Sequence, residues 1–238
     1  MKLAFLERAL AASREGRSAA LMTELQTGRQ CFIDGAMASG DLALDDALRE
    51  ALRRHQAEDR NGTVESPHGP VFIEVFNPRL RCLVVGAVHI AQPLARMAAL
   101  AGYVVTIVDP RTAFASSERF PDFELSTEWP DEALQRLKPN RRTAVVTLTH
   151  DPKFDDPALA TALRSDAFYI GALGSKRTHA ARLKRLAELG FTGADFARIH
   201  GPVGLDIGAV SPAEIAVSIV AQMTLALRGE RRGKAEAA

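Results

Sequence analysis

A chain of 238 residues, 47% hydrophobic and 25% charged, is long enough to bury a real core and has the composition of an ordinary globular protein. Its formal net charge of +1 leaves no electrostatic footprint for nucleic acid or an acidic membrane surface. Two cysteines, Cys31 and Cys82, make neither a disulfide framework nor zinc spacing, so no metal site is expected.

The first residues, MKLAFLERALAASREG, read as a short amphipathic helix from Leu3 to about Arg14 and not as a signal peptide. No uninterrupted apolar run reaches the ~18 residues that span a bilayer, and a cytoplasmic protein is expected. An apolar stretch, Ala19 to Leu25, leads through the turn Gln26-Thr-Gly-Arg29 to a strand at Gln30 to Ile33. Leu44 to about Ala57 has apolar residues at helical spacing, with Asp41 and Asp45 as candidate N-caps. Asn61-Gly62 and His68-Gly69-Pro70 are turn signals around a strand pair that ends at Val71 to Phe76, and Asn77-Pro78 marks a boundary. Residues 1–78 are thus expected to form a small α+β domain.

Residues 79–229 alternate strand and helix, which implies a parallel sheet with helices on both faces. Strands are predicted at Arg81–Val85, Val104–Val108, Thr143–Thr147 and Ala167–Ile170. Helices are predicted at about Ile90–Leu100, Glu132–Leu137, Pro157–Leu163, Lys176–Leu189 and Pro212–Leu227. The last opens with Ser211-Pro-Ala-Glu214, a capping box with proline at the first helical position. Residues 230–238, small and charged, are expected to be a disordered tail.

The strand Arg81–Val85, the turn at Gly86, the helix and the second strand ending in Asp109 follow the order of a Rossmann dinucleotide fingerprint. Gly86 supplies the tight turn and Ala91 is small enough for close helix–strand packing. The middle glycine, which lets backbone approach a pyrophosphate, is Val88 here. Either the site holds its ligand differently or it has lost it.

In open α/β sheets ligands bind outside the carboxyl ends of the strands, and the unusual polar clusters converge there. The first strand delivers Gly86, Ala87, Val88 and His89; the second, Asp109 and Arg111; the third, Thr149, His150 and Asp151; the fourth, Gly171, Gly174, Ser175, Lys176 and Arg177. Asp109 is placed to accept from a ribose hydroxyl, or else to cap a turn, while Arg111 could meet a phosphate. His150 and Asp151 are either a proton-transfer pair or a loop whose Asp151 caps the helix after Pro152. The Gly171–Arg177 segment has the makings of an anion cradle, with the wrong glycine spacing for a Walker A loop. Asp206 is the candidate ligand contact in the glycine-rich loop His200–Gly208.

These segments, with Ile199-His-Gly-Pro-Val-Gly-Leu-Asp-Ile-Gly-Ala209 and Ser211-Pro-Ala-Glu-Ile-Ala-Val-Ser218, closely resemble the XdhC/CoxI/CoxF family of accessory proteins for molybdenum hydroxylases. The resemblance covers about residues 81 to 228. It implies a Rossmann domain behind a smaller N-terminal domain and a role in handling or inserting the molybdenum cofactor, carried as transient cargo. It also implies a molybdenum hydroxylase client, a homodimer, and binding of FAD or NAD(P) in the Rossmann cleft. The family's Gly-Ala-Gly-His reads Gly86-Ala-Val-His89 here, and its N-terminal Gly-Gly-Cys-x-Glu segment has no cysteine near Met37-Ala-Ser-Gly-Asp41. Two other readings stand beside the accessory role: a free-standing FAD- or NAD(P)-dependent oxidoreductase, and a non-catalytic scaffold with a vestigial nucleotide site. If the protein is an enzyme, an FAD- or NAD(P)-binding oxidoreductase acting in molybdoenzyme maturation, His150, Asp151 and Asp206 are its catalytic candidates.

Overall fold

The computed structural model describes residues 3–67 and 69–229. His68, within an expected turn, and 230–238, the expected tail, lie outside the described residues. The chain divides into two compact units, Met1–Arg79 and Leu80–Ala238.

The first unit contains α1 (Leu3–Arg14), β1 (Ala19–Glu24), β2 (Gln30–Asp34), β3 (Met37–Gly40), α2 (Asp46–Glu58), β4 (Gly62–Ser66) and β5 (Gly69–Phe76). Its sheet is antiparallel with the order β3-β2-β1-β5-β4. Successive residues of a strand face opposite ways, and β1 uses both faces. Ala20 and Met22 join Leu48, Ala51 and Leu52 of α2, while Ala19 and Leu21 meet Phe5, Ala9 and Ala12 of α1. Of the two candidate caps, Asp45 accepts from the Leu48 amide at 2.7 Å and starts α2. Asp41 instead accepts from the Gln30 amide at 2.7 Å. The edge strand β3 is absent from the sequence reading because its exposed residues carry no apolar alternation.

The second unit contains β6 (Leu80–Val85), α3 (Ala91–Leu100), β7 (Tyr103–Val108), β8 (Glu124–Ser126), α4 (Pro130–Leu137), β9 (Thr143–Thr147) and α5 (Pro152–Leu163). It continues with β10 (Tyr169–Ala172), α6 (Lys176–Glu188), α7 (Gly193–Phe196), β11 (Ile199–His200) and α8 (Pro212–Arg228). Six parallel strands lie in the order β11-β10-β9-β6-β7-β8. Counted from β6 this is the doubly wound Rossmann order, whose switch point lies between β6 and β9. One core joins Val84, Val146 and Ile107 to Leu94 of α3 and Ile219 of α8. The other joins Leu83 and Val145 to Leu134 of α4, Leu159 of α5 and Leu186 of α6. The unit is α/β, with helices covering both faces of the sheet.

Three differences from the sequence reading have local causes. β8 and β11, with three and two residues, are too short to show a period. α5 begins at Pro152, not Pro157, because Asp151 caps it with Pro152 in the first turn; Pro157 is carried inside the helix. β10 runs two residues later than predicted, in register with β9 through Tyr169↔Ala144 to Ala172↔Thr147.

Candidate functional site

The carboxyl edge of the six-stranded sheet brings the predicted polar loops of this unit together. At the end of β6, Gly86 has φ +104° and donates its N–H to the Val108 carbonyl at 2.8 Å. A Cβ there would lie 2.6 Å from Thr149 Cγ2 and 3.2 Å from the Thr149 amide nitrogen. The glycine therefore lets the loop after β9 lie directly on the turn.

The next peptide is held from two sides. The Ala87 N–H donates to Asp109 Oδ2 at 2.8 Å, and the Ala87 carbonyl accepts from Arg119 Nη1 at 2.8 Å. Arg119 also donates to the Phe114 carbonyl at 2.8 Å. Asp109 is 1% exposed, and each of its oxygens has two donors. Oδ1 takes the Arg111 amide at 3.0 Å and Nε at 2.9 Å; Oδ2 takes Arg111 Nη2 at 2.8 Å besides Ala87. Burial alone would raise the carboxyl's pKa. The Arg111 side chain, the two amides and the guanidinium charge outweigh it and hold the group below its ordinary value. Arg111 is steadied in turn by the rings of Phe114 and Phe154, 4.3 and 5.2 Å from its guanidinium carbon. Val88 packs half-buried on the core, and His89 is exposed.

At the end of β9 the Thr149 hydroxyl donates to Asp155 Oδ1 at 2.6 Å. Asp155 is 1% exposed and ion-paired with Arg182 Nη2 at 3.1 Å. Burial pushes its carboxyl up, with Thr149 and Arg182 opposing. Asp151 accepts from the Lys153 amide at 3.0 Å as the N-cap of α5. His150 is exposed in the left-handed region at φ +61°. The two side chains are not hydrogen-bonded to each other, and the capping alternative describes Asp151.

After β10 the chain turns through Gly174, φ +147°, and Ser175 caps α6 by accepting from the Thr178 amide at 3.1 Å. Ser175, Lys176 and Arg177 are exposed. Gly171 is required by close approach: a Cβ would lie 2.6 Å from Val203 Cγ2 and 2.8 Å from Tyr169 Cε1. The loop after β11 is clamped by Gln222 of α8, whose Oε1 accepts from the Tyr169 hydroxyl at 2.6 Å and the Gly204 amide at 2.9 Å. Its Nε2 donates to the Gly204 carbonyl at 3.2 Å. His200 stacks on Tyr169 at 4.7 Å, and burial lowers its pKa. Asp206 is exposed beyond the clamp.

The sequence reading missed Arg119, Asp155, Arg182 and Gln222. All four act over long sequence separations, and only the tertiary fold supplies their partners. Among the described residues no group of three or more His, Cys, Asp or Glu could hold a metal, and no helix is long and apolar enough to cross a membrane.

Residues 82–223 match the family model described as the XdhC Rossmann domain. A protein of Bacillus subtilis (strain 168), named as a probable subunit of xanthine dehydrogenase, is 34% identical over 174 residues, 70% of this chain and 51% of that protein. The "Molybdenum cofactor insertion chaperone PaoD" of Escherichia coli (strain K12) is 34% identical over 148 residues, 62% of this chain and 40% of that protein. A crystal structure of a xanthine dehydrogenase from Bacillus halodurans aligns with a TM-score of 0.70 at 27% identity, covering 95% of this chain and 64% of that one. The chain spans about half the length, or less, of these curated relatives.

Proposed function

The chain belongs to the XdhC family, whose Rossmann domain it carries over residues 82–223, and on that premise we propose that it is an accessory factor in the maturation of a molybdenum hydroxylase. In this reading it binds the molybdenum cofactor as transient cargo at the carboxyl edge of its parallel sheet and passes it to the hydroxylase client in the cytoplasm. The observation that carries the reading is the match along the whole Rossmann domain, in company with a relative named as a molybdenum cofactor insertion chaperone. Deleting the gene is expected to leave the client polypeptide present but inactive, with activity restored by the intact chain. Full client activity in the deletion strain would overturn the proposal.

The residues present do not fit a dinucleotide, FAD or NAD(P), laid over the glycine turn. A pyrophosphate there needs a free amide and a bare backbone. The Ala87 N–H is already given to Asp109, the ribose-type acceptor is fully engaged by Arg111, and Val88 stands where the middle glycine belongs. We read Asp109, Arg111 and Arg119 as a brace that sets the turn's shape, which favours the vestigial nucleotide site over a dinucleotide-dependent oxidoreductase. The cargo-binding role then falls to Thr149 and to Gly171, Gly174, Ser175, Lys176 and Arg177, with Asp206 and His150 exposed beside them. In this reading the site's chemistry is binding and release.

A homodimer belongs to the same reading. α8 has no charged residue from Ile215 to Leu227 and leaves Val217 47% and Leu225 54% exposed, a surface suited to a second copy. Sedimentation equilibrium of the full chain should give a dimer mass; a monomer at all concentrations would remove this part.

A further inference from the structure

Arg182 is the largest fully buried side chain among the described residues, 1% exposed. A guanidinium has five N–H donors. The two on Nη2 go to Asp155 Oδ2 at 3.1 Å and the Leu173 carbonyl at 2.9 Å. The one on Nε and the two on Nη1 have no partner among the described residues. Buried donors are rarely left so, because each forfeits its hydration. Nη1 lies directly beneath the loop after β10: a Cβ on Gly174 would come within 3.8 Å of it. On the same face of the sheet, Thr147 Oγ1 at the tip of β9 is also buried without a partner among the described residues.

Above this guanidinium the backbone is equally unpaired. The amides of Gly174, Ser175, Lys176 and Arg177 find no acceptor among the described residues, since the Ser175 hydroxyl takes the Thr178 amide. They open the 13-residue helix α6, whose dipole adds positive potential at that end. Lys176 and Arg177 stand exposed at the mouth. Free amides, a helix N-terminus and a buried cation beneath them form a site for a compact multivalent anion.

We propose that this loop binds the terminal phosphate of an organic phosphomonoester. The amides of 174–177 would hold its oxygens, and Arg182 would act as a positioning residue whose charge lies under the loop. The ester substituent would extend along the sheet edge toward Thr149, whose hydroxyl shares Asp155 with Arg182. The inference rests on this edge being the ligand-binding edge, and not on the identity of the cargo or client.

The test is ¹⁵N–¹H NMR on the full wild-type chain, titrated with glycerol 3-phosphate, with inorganic phosphate, and with chloride at matched ionic strength. The monoester should give saturable shifts in the Gly174–Arg177 amides together with the Arg182 Nε–H signal, which a merely structural arginine would not show. The exposed double variant Lys176→Gln/Arg177→Gln should bind several-fold more weakly and keep the Arg182 response. Arg182→Met should lose at least about tenfold in affinity, because it removes the buried positive charge beneath the loop, and Arg182→Lys should recover part of it. Absence of saturable shifts, shifts that leave Arg182 Nε and the four amides unmoved, or a response to inorganic phosphate with the monoester excluded would overturn the proposal. Client activity in the deletion strain is a separate readout, so either reading can fail while the other stands.

Discussion

The two halves of the sheet edge treat their polar groups in opposite ways. At the first crossover every strong group is answered from within the protein. Asp109 has four donors, and Ala87 is bonded through both its N–H and its carbonyl. At the β10–β11 crossover, Arg182 keeps three unpaired N–H groups and the loop above it keeps four unpaired amides, counted among the described residues. A satisfied network stabilises a shape and has little left to give a ligand. An unsatisfied one lowers stability locally and recovers that loss when an acceptor arrives. A fingerprint match alone points to the first crossover, whereas the unpaired donors lie at the second, where we propose the ligand binds.

The comparison can be broken at its most buried pair. Asp155→Ala strands the Arg182 charge, and urea denaturation should show a loss of about 3–5 kcal/mol, with partial recovery in Asp155→Ala/Arg182→Met. Asp109→Ala should cost less, about 2 kcal/mol, because its partner Arg111 is 36% exposed and remains partly hydrated. Equal losses for the two would mean that the first crossover is no better solvated than the second.

The glycines sharpen the contrast. Gly86→Ala places a Cβ against Thr149 backbone at a positive φ and should cost about 2–3 kcal/mol by thermal denaturation. At Gly174 the nearest neighbour of an added Cβ is the Thr178 side chain at 3.1 Å, and the cost should be about 1 kcal/mol, mostly backbone strain. The smallest effect is expected for Val88→Gly. With Ala87 and Asp109 still engaged, isothermal titration should find no gain in affinity for FAD, NAD or NADP; a gain of about tenfold or more would show that the valine alone had closed the site.

The two carboxylates should also titrate on opposite sides of normal, which ¹³C NMR can follow. Asp109 is held low in the fold, so its contribution to stability is present above the unfolded value of about 3.9 and is lost as pH falls through the folded value. Asp155 is raised, so folding disfavours its ionised form. Stability is recovered as pH falls through its folded value toward about 3.9. A common titration for both would erase the distinction between the two crossovers.

Much of this fold was legible from local signals. The apolar runs at Leu80–Val85 and Tyr103–Val108, the Ser211–Glu214 capping box and the Asp45 cap each involve residues near one another in sequence, whose preferences act before any tertiary contact forms. The candidate site was legible as a set of loops: strand–helix alternation places them all at one edge of a parallel sheet, and the structure assembles them there. Their internal allegiances were not. Asp109 reads as a ribose acceptor or a turn cap until its bonds to Ala87 and Arg111 are seen. Nothing in the sequence singles out Arg182, one of several basic residues in Lys176–Arg185, until α6 packs it against Asp155.

Local sequence signals were enough for the alternation of elements, their caps, and hence a doubly wound sheet with its loops gathered at the carboxyl edge. Which polar groups at that edge pair with one another depends on the folded neighbourhood. Those choices join residues 22 to 32 positions apart, Ala87 with Asp109, Asp155 with Arg182 and Ala87 with Arg119. Burial of a charge and the pairing of a hydrogen bond are properties of a neighbourhood, and no periodicity along the chain encodes them.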